Sequence, residues 1–246
     1  MRAHALLAGL AAVAALALPV ADAAAQRRAA RAAPARPAAA RDWTRVAVRT
    51  PEGVRIGNPA AAVRLVEYGS ITCPHCATFA NQGGNAGLYG HVRSGRVSWE
   101  YRPYMIFPTD PGLFAALNCL PPGAFFPTVE QLYATQRTWV GRVQAYLEAN
   151  QAQVVSMSIP ARAAAMFRAS QVEGLFRARG MTAAQINACI TNPANLQRIA
   201  SNTQRASARL NIPGTPTFFV NGVQAGAIEF FSELEPVLIR AGARGQ

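Results

Sequence analysis

The sequence predicts an α/β domain whose sheet is interrupted by a long helical segment. Apolar, strand-like runs occur at residues 63–68 and 97–101, and a third run occurs at 217–220 near the C-terminus. Between the second and third runs, residues 111–210 follow a helical pattern. The roughly 200 residues that follow position 50 are enough for one domain with a substantial core.

The first predicted helix covers about residues 73–92. Its middle is weakened by Gly83-Gly84 and Gly87, because each glycine costs ~1 kcal/mol relative to alanine in a helix. The strand that follows, at 97–101, is expected to stop at Arg102-Pro103.

Prolines and glycines divide the helical segment, and a hairpin and a helix follow it. Helix breaks are predicted at Pro121-Pro122-Gly123, Pro127, Pro160, Gly180 and Pro193. Asn221-Gly222 is a strong hairpin signal between two strand-like runs. The segment Ser232-Glu233-Leu234-Glu235 resembles a capping box, which predicts a closing helix that ends at about Arg240.

The N-terminal region has the composition of an export signal. A positively charged start, an uncharged apolar run at 5–20 and small residues at 21–25 predict a cleavable signal peptide over 1–25. An uncleaved membrane anchor is the alternative. Residues 26–49 consist mostly of Ala, Arg and Pro, so they are expected to form a flexible, positively charged leader.

The net charge of +12 is concentrated near the N-terminus. Eight of the 24 basic residues precede position 50, and all 24 are arginine. The arginines are dispersed and lack the aromatic interleaving of a nucleic-acid site. Nucleic-acid binding is therefore not expected.

The motif with chemical potential is Cys73-Pro74-His75-Cys76, at the start of the first predicted helix. Two thiols three positions apart on a helical turn can close a small disulfide with little backbone movement. Cys73 then lies at the positive end of the helix dipole, where a thiolate is favoured. Because the thiolate is both nucleophile and leaving group in disulfide exchange, the motif predicts thiol–disulfide redox chemistry.

Two further cysteines, Cys119 and Cys189, lie in the helical segment. In an oxidising compartment an even cysteine count favours a structural disulfide between them, and two buried free thiols are the alternative. A zinc site is disfavoured because the chain has a single Cys-x-x-Cys pair, and haem attachment is disfavoured because position 77 is alanine. No metal site is predicted.

Two segments resemble signatures of the DsbA-type periplasmic thiol:disulfide interchange proteins. Residues 66–76 resemble their active-site region, and residues 212–222 resemble the loop whose cis-proline faces the disulfide. Side chains similar to their helical insertion are Arg102, Pro103, Phe125, Phe126, Gln136 and Trp139. The resemblance implies a thioredoxin fold over 50–246, with an inserted helical domain at about 105–210.

The motif residues receive roles from their positions and from this resemblance. Cys73 is expected to be the exposed attacking thiolate with a pKa well below 7, and Cys76 the resolving partner one turn deeper. His75 is expected to direct a hydrogen bond or positive charge at the Cys73 sulfur, and Pro74 to fix φ near the helix start. The Cys73–Cys76 disulfide is the redox group, and no further cofactor is expected.

Residues outside the motif complete the implied site. The Thr215–Pro216 peptide bond is expected to be cis, so that the Thr215 backbone faces the sulfurs and pairs with an extended substrate; an ordinary turn is the alternative. Glu67 is expected to assist proton movement at Cys76, and a carboxylate paired with a nearby arginine is the alternative. The tryptophans are expected to be packing residues: Trp43, Trp99 and Trp139.

Three functions are compatible with these features. The favoured one is a monomeric periplasmic oxidase that donates its disulfide to folding exported proteins and is re-oxidised by a membrane partner of the DsbB type. The second is an isomerase or reductase on the same fold. The short segment before the domain disfavours an isomerase, whereas Thr215 keeps this alternative open. The third is a non-catalytic binding or chaperone protein, which the complete pair of signatures argues against.

Overall fold

The computed structural model describes residues 41–243 of the 246-residue chain. The predicted signal peptide at 1–25 and most of the predicted leader at 26–49 lie outside the described residues. Within them, the chain has the predicted α/β architecture, a thioredoxin fold with an inserted helical domain. No helix between residues 41 and 243 is long and apolar enough to cross a membrane.

A six-stranded sheet forms the centre of the fold, in the order β1-β2-β4-β3-β5-β6. Its strands are β1 (Ala47–Arg49), β2 (Val54–Gly57), β3 (Val63–Gly69), β4 (Val97–Pro103), β5 (Thr217–Val220) and β6 (Val223–Gln224). β3 pairs in parallel with β4 and antiparallel with β5. The carboxyl end of this central strand leads directly to the Cys-Pro-His-Cys motif.

The sheet begins earlier in the chain than the sequence indicates. β1 falls within the predicted leader, yet it pairs with β2 in antiparallel register. Arg49 also donates a 2.7 Å hydrogen bond to the Leu120 carbonyl. A strand of three residues is too short to show a period-two pattern. The leader boundary at residue 49 is therefore placed too late.

Helices lie before, within and after the insertion. They are α1 (Pro74–Phe79), α2 (Asn85–Arg93), α3 (Asp110–Cys119), α4 (Pro122–Ala134), α5 (Gln136–Ser156), α6 (Ile159–Ser170), α7 (Glu173–Arg177), α8 (Ala183–Thr191), α9 (Pro193–Arg209) and α10 (Phe231–Arg240). Helices α3 to α9, which cover residues 110–209, separate β4 from β5.

The glycines predicted to weaken the first helix divide it in two. A π-helical turn at Ala80–Gly84 separates α1 from α2, and Gly83 has a φ of +94° that glycine adopts without steric cost. The predicted break at Pro127 is wrong, because this proline lies inside α4. The carbonyl that it leaves without an intrahelical partner belongs to Gly123, which is exposed to solvent.

The C-terminal elements follow the sequence signals with one change. Asn221 and Gly222 have positive φ values of 51° and 86° and connect β5 to β6 as a hairpin. The closing helix ends at Arg240 as predicted. Its N-cap is Phe230 instead of Ser232, because the Glu233 carboxylate accepts hydrogen bonds from the backbone N–H groups of Glu229 and Phe230.

Aromatic contacts and a disulfide hold the insertion together and against the sheet. The ring of Trp99 on β4 lies 4.6 Å from that of Phe126, and Tyr101 lies 5.6 Å from Phe125, measured between ring centroids. Cys119 and Cys189 form a disulfide between the end of α3 and α8, with their Cα atoms 6.4 Å apart. The predicted insertion pair Phe125-Phe126 is thus part of the interface between insertion and sheet.

Candidate active site

The Cys-Pro-His-Cys motif occupies the junction between β3 and α1. Cys73 is the N-cap residue of α1, with extended φ and ψ of −71° and 123°, and Pro74 occupies the first turn. Proline suits this place because the N–H it lacks has no intrahelical partner there. Cys76 lies one turn inside the helix and is 1% exposed. Both cysteines are free thiols in this structure.

The inserted helices hold the loop that precedes Cys73. Gln136 at the start of α5 donates hydrogen bonds from Nε2 to the carbonyls of Ile71, at 2.8 Å, and Cys73, at 2.9 Å. The Tyr133 hydroxyl donates to the Ser70 carbonyl at 3.1 Å. The insertion therefore fixes the backbone on which the first thiol is presented.

A buried carboxylate, Asp110, is a second connection between the insertion and this loop. It accepts hydrogen bonds from the Ser70 hydroxyl and from the Thr72 hydroxyl and backbone N–H. It also accepts from the backbone N–H groups of Ile106 and Phe107. Burial raises the pKa of Asp110, although these hydrogen bonds oppose the rise. Sequence reasoning missed this residue, since an aspartate before a proline resembles an ordinary helix start.

Cys73 is enclosed instead of exposed. The predicted exposure of this sulfur is wrong, because Cys73 is only 3% exposed. The thiol donates a 3.0 Å hydrogen bond to the Thr215 carbonyl, so the loop before Pro216 covers it. The Thr215–Pro216 peptide bond is cis. The structure thus brings together the two segments that are separated by the whole insertion in the sequence.

Neighbouring donors lower the pKa of Cys73 to about 6. The largest contribution comes from the Cys76 thiol, and burial of the sulfur opposes it. The Thr215 side chain and the backbone N–H groups of Cys76 and His75 lower the pKa further, because they hydrogen-bond the thiolate. The Thr215 hydroxyl is buried and has no other hydrogen-bond partner among residues 41–243.

His75 acts on Cys73 differently from the prediction. Its hydrogen bond to the Cys73 sulfur comes from the backbone N–H. The imidazole is 69% exposed, and its Nδ1 lies 3.9 Å from a carboxylate oxygen of Glu229. The ring therefore faces an acidic side chain that the sequence analysis did not single out.

The second thiol is held in its protonated form. Burial raises the pKa of Cys76 well above its usual range, and the Cys73 sulfur and, when it is ionised, the Glu67 carboxylate raise it further. One thiol of the pair is thus stabilised as a thiolate and the other as a thiol. This asymmetry is the one that sequential disulfide exchange requires.

Glu67 lies on β3 and is 3% exposed. Burial raises the pKa of its carboxyl to about 8, and a hydrogen bond from the Trp99 indole opposes the rise. The N–H of Trp99 donates to Oε2 of Glu67 at 3.0 Å. The Glu67 carboxylate is thus hydrogen-bonded to a tryptophan, not to the arginine of the alternative interpretation. Trp99 is therefore a hydrogen-bond donor as well as a packing residue.

A groove of about 470 Å³ opens beside the motif. Its walls include His75, the cis-proline loop from Pro213 to Thr217, and Glu229 before α10. Residues 41–243 contain no group of three or more His, Cys, Asp or Glu side chains arranged to hold a metal ion.

The chain is similar to one known family and to several solved structures. A sequence model described as thioredoxin matches residues 49–237. A crystal structure of protein-disulfide isomerase from Novosphingobium aromaticivorans is similar, with a TM-score of 0.70 and 30% identity over 76% of this chain and 96% of that chain. No curated protein sequence matches the chain.

Two more distant structures share the fold. Alpha-DsbA1 from Wolbachia pipientis has a TM-score of 0.60 and 17% identity, covering 79% of this chain and 92% of its own. Oxidised BdbD from Bacillus subtilis has a TM-score of 0.57 and 14% identity, covering 83% of this chain and 100% of its own. Because the family match spans most of the chain and the N. aromaticivorans protein is aligned over nearly its whole length, the chain belongs to the thioredoxin family.

Proposed function

We propose that the protein is a thiol–disulfide oxidoreductase that donates the Cys73–Cys76 disulfide to cysteines of folding proteins. The observation that carries this proposal is the asymmetry of the two thiols. The pKa of Cys73 is lowered to about 6, so at pH 7 this sulfur is about nine-tenths thiolate. Stabilising the reduced form in this way makes the corresponding disulfide a stronger oxidant.

Disulfide donation proceeds in two exchanges. A substrate thiolate attacks the Cys73 sulfur of the oxidised protein, forms a mixed disulfide and expels Cys76 as a thiolate. A second substrate thiolate then attacks the substrate sulfur of the mixed disulfide and expels Cys73. The substrate gains a disulfide, and the protein is left with two reduced cysteines.

Glu67 serves the first exchange as a proton donor in this proposal. Its pKa of about 8 keeps the carboxyl largely protonated at pH 7. The buried Cys76 thiolate is unstable as an ion, so it takes a proton from the Glu67 carboxyl directly or through a water molecule. In the second exchange Cys73 leaves as a thiolate that its neighbours already stabilise.

The proposal extends to the compartment and to the re-oxidation of the pair. The Cys119–Cys189 disulfide suits an oxidising, exported location such as the periplasm.

After each donation the reduced pair needs an electron acceptor, which we assign to a membrane partner of the DsbB type. Thr215 and Pro216 hold the substrate chain beside the sulfurs.

A disulfide isomerase is the second candidate. It is favoured by the similarity to the protein-disulfide isomerase of N. aromaticivorans, whose sequence is 30% identical to that of this chain. An isomerase uses the same Cys73 thiolate to attack wrong disulfides in a substrate. The two functions differ in how strongly the protein favours its reduced form.

The reduction potential of the Cys73–Cys76 pair separates the candidates. The protein would be equilibrated in glutathione buffers of known potential and quenched with an alkylating reagent. Mass spectrometry would then give the fractions of reduced and oxidised protein. The Cys119→Ala/Cys189→Ala variant would assign the transition to the motif. A potential more oxidising than about −180 mV supports disulfide donation. A more reducing value, toward about −270 mV, overturns donation and moves the function to isomerisation or reduction.

A further inference from the structure

The groove beside the motif differs in charge from the rest of the protein. The chain has 24 basic and 12 acidic residues, for a net charge of +12. The residues that line the groove nevertheless include two glutamates, Glu229 and Glu233, and no arginine or lysine. The groove is thus a local acidic site next to the reactive sulfur.

The carboxylates of Glu233 and Glu229 make different contacts. Glu233 accepts hydrogen bonds from the backbone N–H groups of Glu229, at 2.7 Å, and Phe230, at 3.0 Å, so it fixes the backbone at the start of α10. These hydrogen bonds lower the pKa of Glu233 and keep it ionised. The Glu229 carboxylate is 54% exposed and lies 3.9 Å from the His75 ring. It is open to a further cation from a bound chain.

A second feature of the groove is a buried hydroxyl with unused hydrogen-bonding capacity. Thr215 lines the groove, is 8% exposed, and has a buried hydroxyl without a hydrogen-bond partner among residues 41–243, apart from the Cys73 sulfur. Its carbonyl already contacts Cys73, so a chain held at Thr215 places its own cysteine near that sulfur. A side chain one or two positions away is then near His75 and Glu229.

We propose that this groove selects substrate segments that carry an arginine or lysine within one or two residues of the reactive cysteine, and that Glu229 is the residue that determines this preference. The inference rests on the proposed function, because it concerns the polypeptide whose thiol attacks Cys73. Paired opposite charges at an interface act on association and on partner choice. The preference therefore depends on ionic strength.

Short single-cysteine peptides test the preference. They would be identical except for Arg, Gln or Glu next to the cysteine, and each would be reacted with the oxidised full-length protein under single-turnover conditions. Rates would be divided by the rates of the same peptides with an uncharged reference disulfide such as 2-hydroxyethyl disulfide, which removes the effect of the neighbour on thiol reactivity. We expect the Arg peptide to react about fivefold faster than the Glu peptide, as one exposed ion pair allows.

Variants of Glu229 test whether this residue causes the preference for a basic neighbour. In Glu229→Gln the Arg-to-Glu rate ratio should fall below about twofold, and in Glu229→Arg it should invert. Glu148→Gln removes the same charge from an exposed site on α5, away from the groove, and should keep the ratio. In wild-type protein the ratio should also shrink at about 0.5 M salt, where the Debye length is about 4 Å.

The outcomes distinguish this inference from the proposed function. A change in the redox potential alone moves the rates of all three peptides together and leaves their ratio unchanged. If wild-type protein and Glu229→Gln give the same ratio, the role of Glu229 is overturned while disulfide donation stands. If the oxidised protein reacts with none of the peptides, the proposed function itself fails.

Discussion

The indole N–H of Trp99 donates a 3.0 Å hydrogen bond to the carboxylate of Glu67 inside the fold. β3 and β4 are parallel neighbours in which Glu67 is paired with Tyr101, two residues after Trp99. Trp99 and Tyr101 therefore point to the same face of the sheet. The bond favours the ionised carboxylate and partly offsets the burial that raises the pKa of Glu67 to about 8.

Replacing Trp99 by phenylalanine should raise the pKa of Glu67 further. The ring that packs against Phe126 is largely kept, whereas the donor to the carboxylate is lost. The pH midpoint of the first exchange with a peptide thiol should therefore move upward from about 8. Stopped-flow rates measured from pH 5 to pH 10 would show the shift.

Trp139→Phe is the matched control for this change. Trp139 is equally buried, and its N–H donates to the Leu132 carbonyl on the neighbouring helix. Its replacement should cost comparable stability but leave the pH midpoint in place. Equal midpoints in wild type and Trp99→Phe would contradict the influence of this indole on Glu67.

Glu67 should also make stability depend on pH. Its pKa is raised in the folded protein, from 4.5 to about 8, so the folded state retains the proton that the unfolded state loses. The stability associated with this carboxyl is fully present below about pH 4.5 and is lost as the pH rises to about 8. Glu67→Gln keeps a neutral side chain at every pH.

Urea unfolding of wild-type protein and Glu67→Gln at several pH values would measure this contribution. The free energy of unfolding of wild type, relative to the variant, should fall between about pH 4.5 and 8 and level off above 8. A difference that stays constant across this range would show that Glu67 ionises normally. Using the difference removes contributions from other groups such as Asp110.

The pKa of Cys73 should depend mainly on the neighbouring thiol. Cys76 makes the largest contribution to lowering it. Cys76→Ala removes this donor, so the thiolate transition should move from about pH 6 toward the ordinary thiol value of 9.0, with the backbone N–H donors retaining part of the shift. Thiolate absorbance as a function of pH would follow it.

Cys73→Ala supplies the reference for this titration. It should abolish the transition near pH 6, because the pKa of Cys76 is raised well above the usual range by burial. A transition near pH 6 that persists in Cys73→Ala would mean that the assignment of the two thiols is reversed. An unchanged transition in Cys76→Ala would instead show that the backbone dominates.

The sequence predicts the parts of the site that are continuous in the chain. The strand, the motif and the Thr215–Pro216 loop are recognisable because each is a short run with its own signature. Contacts between segments that are distant in the chain have no such signature, so the sequence does not predict them. Asp110 and Glu229 gain their neighbours only when the insertion and α10 fold against the motif. The enclosure of Cys73 likewise depends on a loop 142 residues away.

The hydrogen bonds from Gln136 to the active-site loop should contribute to the stability of the protein. The Gln136 Nε2 donates to the carbonyls of Ile71 and Cys73. Gln136→Leu leaves the Ile71 carbonyl without a donor, whereas the Cys73 carbonyl still accepts from the Ala77 N–H. The loss should cost about 1–3 kcal/mol, the range for one buried unsatisfied group. Gln144→Leu, at an exposed position on the same helix, should change stability by less than about 0.5 kcal/mol. Urea unfolding of the oxidised proteins would compare them, and equal losses would contradict the link.

The Cys119–Cys189 disulfide should contribute to stability without affecting the chemistry of the motif. It closes a loop with a sequence separation of 70 residues, for which the chain-entropy model gives about 4 kcal/mol. Both cysteines belong to the inserted helices, whereas the donors that lower the pKa of Cys73 are Cys76, His75 and Thr215. Cys119→Ala/Cys189→Ala should therefore unfold at lower urea concentration and keep the wild-type reduction potential of the motif. A shifted potential with unchanged stability would show that this bridge acts on the active site instead of on the fold.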